Sequence, residues 1–542
     1  MKHSTSRTAS AFALLGVLAL PAIGHSQNRN SNQTNQTKTN MSSTTNIRTP
    51  RIPVEQFKLD NGLRVVMSPD KAVPVVSVAV YYDVGSRNER EGRTGFAHLF
   101  EHMMFQGSEN VPKAAHFQFI SNAGGTMNGT TNTERTNYFE TLPANQLPLA
   151  LWLESDRMRS LKVTQENLDN QRKAVQEEKR LNYDNRPFSN AFLRANEMIF
   201  SNSRNAHSTI GSMADLDAAT IEDVQEFFRI YYAPNNAVLT IVGDFDPKEA
   251  RTLVEKYFAS IPKQTLPAAI DVNEPAGVAV RKDSYQDPFA PTPAFILGWK
   301  APQRRTDEAY ALSLADDILL GGDSSRLYLK LVKGEESVLA IQGGYAERRG
   351  PSGFSMFVVP KPGNDPNTIR ATIMAEIKRL ATEGPTAQEM EKLRNNMIND
   401  SVRALQSSLF RAQRLSEYAL YDNDPTLINS ELERYMSVTP ERIKAAAAKY
   451  LDTENHALLD IVPAPRGATQ NAAASTPARP AAASTPAQPG TPAQPGAPAP
   501  QVPQPQPAQP ASPTKPPATP AEPTPNRPAT PQQPGDVPQQ EM

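Results

Sequence analysis

His98, Glu101 and His102 are the residues best placed to do chemistry, in the run His98-Leu99-Phe100-Glu101-His102. The chain has seven histidines, and two of them flank a carboxylate here. On an α-helix, positions i, i+3 and i+4 lie on one face. Two neutral imidazoles could therefore hold one divalent cation while Glu101, beside them, accepts a proton. That equipment suits metal-assisted hydrolysis. The same five residues also suit an ordinary amphipathic helix with two surface histidines, so the rest of the chain must decide.

The chain has no cysteine. Disulfides, thiolate metal sites and a cysteine nucleophile are excluded. A zinc ion would need His, Asp or Glu ligands, and two imidazoles leave a catalytic zinc one protein ligand short. Glu178 is the candidate, in a charged stretch with helical patterning over 165–182. Glu177 is the open alternative. Adjacent helical residues point about 100° apart, so only one of the two can face the histidines. The formal net charge of −1 gives neither nucleic acid nor an anionic membrane a bulk electrostatic handle.

The elements that must carry these residues are mixed in type. Phe57 to Met67 reads as a hairpin around Asp60-Asn61-Gly62. Val75 to Val84 has the β-branched and aromatic content of a strand. The His98 helix, a Gly-rich link and a strand near Thr136 to Leu142 follow, then helices over 144–160 and 165–182. Such mixing without strict alternation predicts an α+β fold, with helices stacked on largely antiparallel sheets. Segments 220–244 and 439–463 repeat one pattern at a constant offset. Thr220 meets Thr439, Val224 meets Ile443, Tyr231 meets Tyr450 and Asn236 meets Asn455. Each reads as a capped helix, a turn and an apolar strand. The repeat predicts two homologous domains, 52–265 and 266–463.

The ends differ from this body. Lys2, His3 and Arg7 precede the apolar run Ala11 to Leu20, and small residues follow at Ala22, Gly24 and Ser26. Residues 1–26 read as a signal peptide, with cleavage expected near residues 24–28. No later stretch has membrane-spanning length. The expectation is an exported protein, and the lack of cysteine suits the periplasm of a Gram-negative bacterium. Residues 27–51 form a polar leader too poor in apolar groups to order itself. Residues 464–542 are rich in Pro, Ala and Gln and hold about half of the 49 prolines. They read as an extended disordered tail, a spacer or a contact to the cell envelope.

Taken together the motifs resemble the pitrilysin or insulinase family of inverted-motif (HxxEH) zinc metallopeptidases. The likeness is greatest to its half-length bacterial members and to mitochondrial processing peptidase subunits. His98-x-x-Glu101-His102 with Met103 to Ser108 resembles the family's active-site helix. Asn122 to Thr131, continuing to Tyr138, is similar to its substrate-lining strand, and Val175-Gln-Glu-Glu178 to its distal ligand segment. Tyr231 to Ala237, Gly243 to Pro247 and Gly322 to Leu327 match further family markers. The resemblance implies one zinc ion per chain, held by His98, His102 and Glu178, with Glu101 as catalytic base and Asn128 on the substrate backbone. It implies an endopeptidase acting on extended peptides or unfolded segments.

Two departures from the family pattern matter. Gln171 stands where many members carry a glutamate that steadies the site. Lys333 and Ala340 stand where active members place an Arg and a Tyr. The departure implies a heterodimer, in which a homologous subunit without zinc supplies the Arg–Tyr pair. Tyr345 is a substitute for that tyrosine within the chain. A self-sufficient homodimeric peptidase and a non-catalytic binding or assembly subunit are the other readings.

Overall fold

The computed structural model describes residues 50–465. The expected signal peptide, nearly all of the polar leader and nearly all of the Pro-rich tail lie outside the described residues. Among the described residues, eleven strands build two sheets. The chain opens with the expected hairpin, β1 (Glu55–Lys58) against β2 (Arg64–Pro69). Gly62 takes φ 94° in its turn, a left-handed conformation that suits glycine. The Asn61 amide donates to the carbonyls of Phe258 and Ile261 at 2.8 and 2.9 Å and ties this turn to the end of a later helix.

β3 (Val75–Tyr82), β4 (Thr126–Thr131), β5 (Thr136–Pro143) and β6 (Ala237–Gly243) complete the first sheet. Its order is β1-β2-β6-β3-β5-β4. β2 and β6 are parallel; the other pairs are antiparallel. The second sheet uses β7 (Lys282–Asp287), β8 (Ala294–Ala301), β9 (Val338–Ala346), β10 (Ser352–Pro360) and β11 (Ala457–Pro463). Its order is β7-β11-β8-β10-β9, with β7 and β11 parallel and the rest antiparallel. From β2 outward, the two sheets therefore share strand order and polarity.

The sequence repeat is part of this likeness. Thr220 caps Ile221–Tyr231 by accepting from the Asp223 N–H, and Thr439 caps Pro440–Tyr450 by accepting from the Arg442 N–H. The two helices lead into β6 and β11, each flanked by its parallel neighbour.

Strand periodicity explains the packing. On β3, Val76, Val78, Val80 and Tyr82 face a core shared with the helices of the first half. Ala79 and Tyr81 face the other way. That other face is covered by Ser408–Asp422, a helix from the second half, through Ala412, Leu415, Ala419 and Leu420. The cover is reciprocal. Ser189–Ile199, from the first half, lays Ala191, Ala195, Met198 and Ile199 on Ile296, Phe357, Ala457 and Leu459 of the second sheet. Each large apolar side chain so buried contributes roughly 1.5–3 kcal/mol.

The hairpin tips of the halves also meet. Glu134, between β4 and β5, pairs with Arg87 and accepts the Arg349 N–H at 2.8 Å from the turn between β9 and β10. The Arg349 guanidinium reaches Asp83 at 2.5 Å.

Candidate metal centre and active site

The HxxEH helix is Phe96–Met103. Phe96, Ala97, Leu99, Phe100 and Met103 bury one face, which turns His98, Glu101 and His102 the other way. The Phe100 ring lies 4.3 Å from that of Tyr232. The helix N-terminus is held by Glu89, whose carboxylate accepts from the N–H groups of Gly95 and Ala97 at 2.9 and 2.8 Å. Acidic groups are favourable at this end of the helix dipole. His207 Nε2 lies 2.9 Å from the same carboxylate.

Glu178 comes from the helix Gln165–Lys179. Thr164 caps this helix, and Leu168 and Val175 anchor it in the first core. Its register is pinned by Arg172, which donates to the carbonyls of Leu216 and Ala219, and by Gln176, which donates to Asp217 at 2.6 Å. Glu178 Oε2 stands 3.4 Å from His102 Nε2 and 3.7 Å from His98 Nε2. One ligand atom of each residue lies within 4.8 Å of the others. Two donor atoms bound tetrahedrally to one zinc, with bonds of about 2.1 Å, stand about 3.4 Å apart. The donor set and its spacing fit that ion. Glu177 points elsewhere and pairs with Arg180 at 3.2 Å.

The electrostatics suit a cation. Burial, then the charge of His102, holds the His98 imidazole below its ordinary pKa, which favours the neutral, ligating form. Its Nδ1 is buried without a hydrogen-bond partner. Burial alone would lower His102 as well. Its hydrogen bond to Glu178, the charges of Glu101 and Glu178 and a hydrogen bond with Gln171 outweigh burial and hold it above the ordinary value. Glu178 is held below the usual carboxylate range. Burial opposes this, but His102, His98 and a hydrogen bond from Asn182 prevail. Asn182 lies in the π-helical turn Arg180–Asp184 that follows the Glu178 helix. Gln171 thus meets His102 from the position where the resemblance calls for a glutamate.

Glu101 Oε2 accepts the Thr131 hydroxyl at 2.5 Å, from the end of edge strand β4. Asn128 lies on the same strand, and its amide oxygen accepts the Gly129 N–H at 2.9 Å. Lys333 is exposed in the turn Tyr328–Gly334, its ammonium over the Tyr328 ring, and Ala340 pairs with Val359 within the second sheet. Tyr345 is a core residue of the second half whose hydroxyl donates to the Pro302 carbonyl at 2.7 Å. That hydroxyl is spent on the fold, which removes it as a substitute for the tyrosine. Reading the sequence alone missed Glu89, Thr131 and Asn182. Only Glu89 left a signal, an acidic residue shortly before a helix start; the other two act across elements.

The chain is similar in sequence and fold to known peptidases. Residues 64–211 match the model of the insulinase family, peptidase family M16, and residues 218–397 match the peptidase M16 inactive domain. The zinc protease PqqE of Helicobacter pylori is 27% identical over 74% of this chain and 91% of its own length. The crystal structure of a protease from Helicobacter pylori superposes with a TM-score of 0.72 at 25% identity, covering 76% of this chain and all of that one. The first half of the periplasmic protease PqqL from Escherichia coli gives a TM-score of 0.62 at 19% identity, over 77% of this chain and 93% of that half. Intact PqqL is matched over only 48% of its length. With both halves matched in order, on one fold and with the HxxEH helix in place, the chain is a half-length member of the pitrilysin-type, insulinase family of peptidases, family M16.

Proposed function

We propose that this chain is the catalytic subunit of an exported zinc endopeptidase that cleaves extended peptides or unfolded segments. The observation that carries the reading is the convergence of His98, His102 and Glu178, with Glu101 on the same helix face. One zinc ion per chain, held by these three side chains, would supply Lewis acidity toward water and the scissile carbonyl. Glu101 takes the proton of the attacking water and returns it to the leaving amine. Gln171 and Asn182 orient His102 and Glu178, as residues behind a metal's ligands commonly do. The exposed edge of β4 pairs with the peptide backbone, and Asn128 sits on it to meet that backbone. Recognition through main-chain groups favours extended substrates over folded ones.

The partner is a homologous subunit without the HxxEH motif, which supplies the Arg–Tyr pair replaced here by Lys333 and Ala340. Support comes from those two positions and from PqqL, whose length is about twice the part this chain matches. Export rests on the basic and apolar start of the sequence and on the periplasmic PqqL. Among the described residues no helix is long and apolar enough to cross a membrane. The test is zinc quantification and cleavage of a quenched peptide by the purified full chain, alone and with subunits that co-purify from its source. Stoichiometric zinc, with cleavage that Glu101→Gln abolishes, is expected. Absence of tight zinc binding would overturn the reading.

A further inference from the structure

Glu101 must do more than lie near the metal ligands: one oxygen of its carboxylate has to face the water it deprotonates. A glutamate side chain has three rotatable bonds, and nothing in the helix itself selects that rotamer. The structure holds the carboxylate from outside. Thr131 Oγ1 lies 2.5 Å from Glu101 Oε2, the distance of a hydroxyl donating to a carboxylate. The direction of that bond follows from the neighbours. Thr136 Oγ1, 3.4 Å from Thr131 Oγ1, already donates to the Val84 carbonyl at 2.9 Å. Thr131 has a single proton, and the acceptor that needs it is Glu101.

We infer that Thr131 is a positioning residue for Glu101: its hydroxyl occupies Oε2 and leaves Oε1 to take the proton of the attacking water. The inference rests on the peptidase reading for its kinetic consequence, but not for its geometry. Thr131 ends β4, the strand proposed to pair with the peptide. The hairpin beyond it is pinned at Glu134 by Arg87 and by the Arg349 N–H. The base is therefore set by the strand that receives the substrate, and that strand is fastened to the other half of the molecule.

The test compares Thr131→Val, which keeps the β-branched shape and removes the hydroxyl, with Thr131→Ser, which keeps the hydroxyl. In the zinc-loaded chain with its partner, Thr131→Val should lower kcat about tenfold, the scale of one hydrogen bond to a charged group. KM and zinc content should stay at the wild-type values, and the melting temperature should fall by no more than a few degrees. Thr131→Ser should recover kcat to within about twofold, since it restores the same donor. Crystal structures of the metal-free proteins give a readout free of turnover. Glu101 should hold its place in the wild type and in Thr131→Ser, and swing away in Thr131→Val. An unmoved Glu101 in Thr131→Val, or an unchanged kcat, would overturn the inference. Should valine perturb the strand, Thr131→Ala makes the same comparison. A zinc-loaded wild type that cleaves nothing with any subunit would sink the peptidase reading instead, and the crystals would still decide where Thr131 holds Glu101.

Discussion

The two halves answer one design question in opposite ways. In each, a helix follows the strand next to the parallel pair's inner member, after β3 in the first half and after β8 in the second, and sends a carboxylate to the edge strand. In the first half the helix is Phe96–Met103, and Glu101 takes a hydroxyl proton from Thr131 on β4. In the second it is Asp307–Leu320, and Asp316 takes the backbone N–H of Tyr345 on β9 at 2.9 Å. The Asp316 bond uses a main-chain donor of the edge strand, which blunts that edge against pairing. On β4 the Gly129 N–H is met by the amide of the adjacent Asn128, a contact that an incoming peptide carbonyl can replace. The second helix brings no histidine to the place of His98 and His102, and leucine and alanine dominate it. One architecture thus serves a polar, open site in one half and a closed, structural packing in the other. The proposed function therefore rests on a few side chains of one copy, not on the topology that both copies share.

The sharpest break of that comparison is at the metal site. His98→Ala, His102→Ala and Glu178→Gln should each abolish tight zinc binding, read by metal analysis, because two ligands rarely suffice. Glu101→Gln should keep the zinc and lose turnover by about 10²–10⁴-fold, since an amide is no base. Equal zinc loss in Glu101→Gln would make it a ligand instead. Asp316→Asn, at the matching place in the second half, should leave both zinc content and turnover unchanged.

Next in size is the effect of the partner. The lone chain should bind zinc yet cleave slowly, and a homologous subunit bearing an Arg–Tyr pair should raise turnover by about 10²–10³, the usual contribution of one oxyanion donor. Arg also offers a planar fork that Lys333 cannot imitate. Rapid cleavage by the chain alone, unaffected by any added subunit, would show that the first half needs nothing from elsewhere.

Exchange of helices makes the halves interdependent. Leu415→Ala, at a fully buried position of Ser408–Asp422 against the first sheet, should destabilise the protein by about 2–5 kcal/mol. The loss should appear as one cooperative shift in chemical denaturation. A biphasic curve, with only the second half affected, would mean that the halves fold apart.

The remaining effect is one of pH. Burial, against the Tyr345 N–H and reinforced by the charge of Asp317, pushes the Asp316 carboxyl up from 3.8 to about 8. The native state then keeps a proton that the unfolded chain has already released, so stability falls as pH rises between the two values and levels off above about 8. Asp316→Asn removes this dependence and keeps an oxygen for the Tyr345 N–H. The variant should melt a few degrees above wild type near pH 8 and match it near pH 4. Equal melting temperatures at both values would show that Asp316 is charged in the native protein.

Local pattern carried much of this molecule. The Asn61-Gly62 hairpin, the strand at β3, the HxxEH helix and the repeated helix–strand units were legible because each follows from turn chemistry, periodicity or a cap within a few residues. Helix periodicity alone left Glu177 and Glu178 open, and the family resemblance favoured Glu178; the packing of the helix turns Glu178 toward the histidines. Thr131 was not legible in this way. Its neighbours in sequence are strand residues, and its partner Glu101 sits on a helix thirty positions earlier. The helix exchange was equally hidden. Ser408–Asp422 has an apolar face like any surface helix, and nothing local says which sheet it covers. By itself the sequence determined the residue types able to hold a cation and the family they belong to. Only the tertiary structure decided how closely Glu178 approaches the two histidines, which hydroxyl meets Glu101 and which half shields which, because those contacts join distant segments through space and depend on the packing of whole elements.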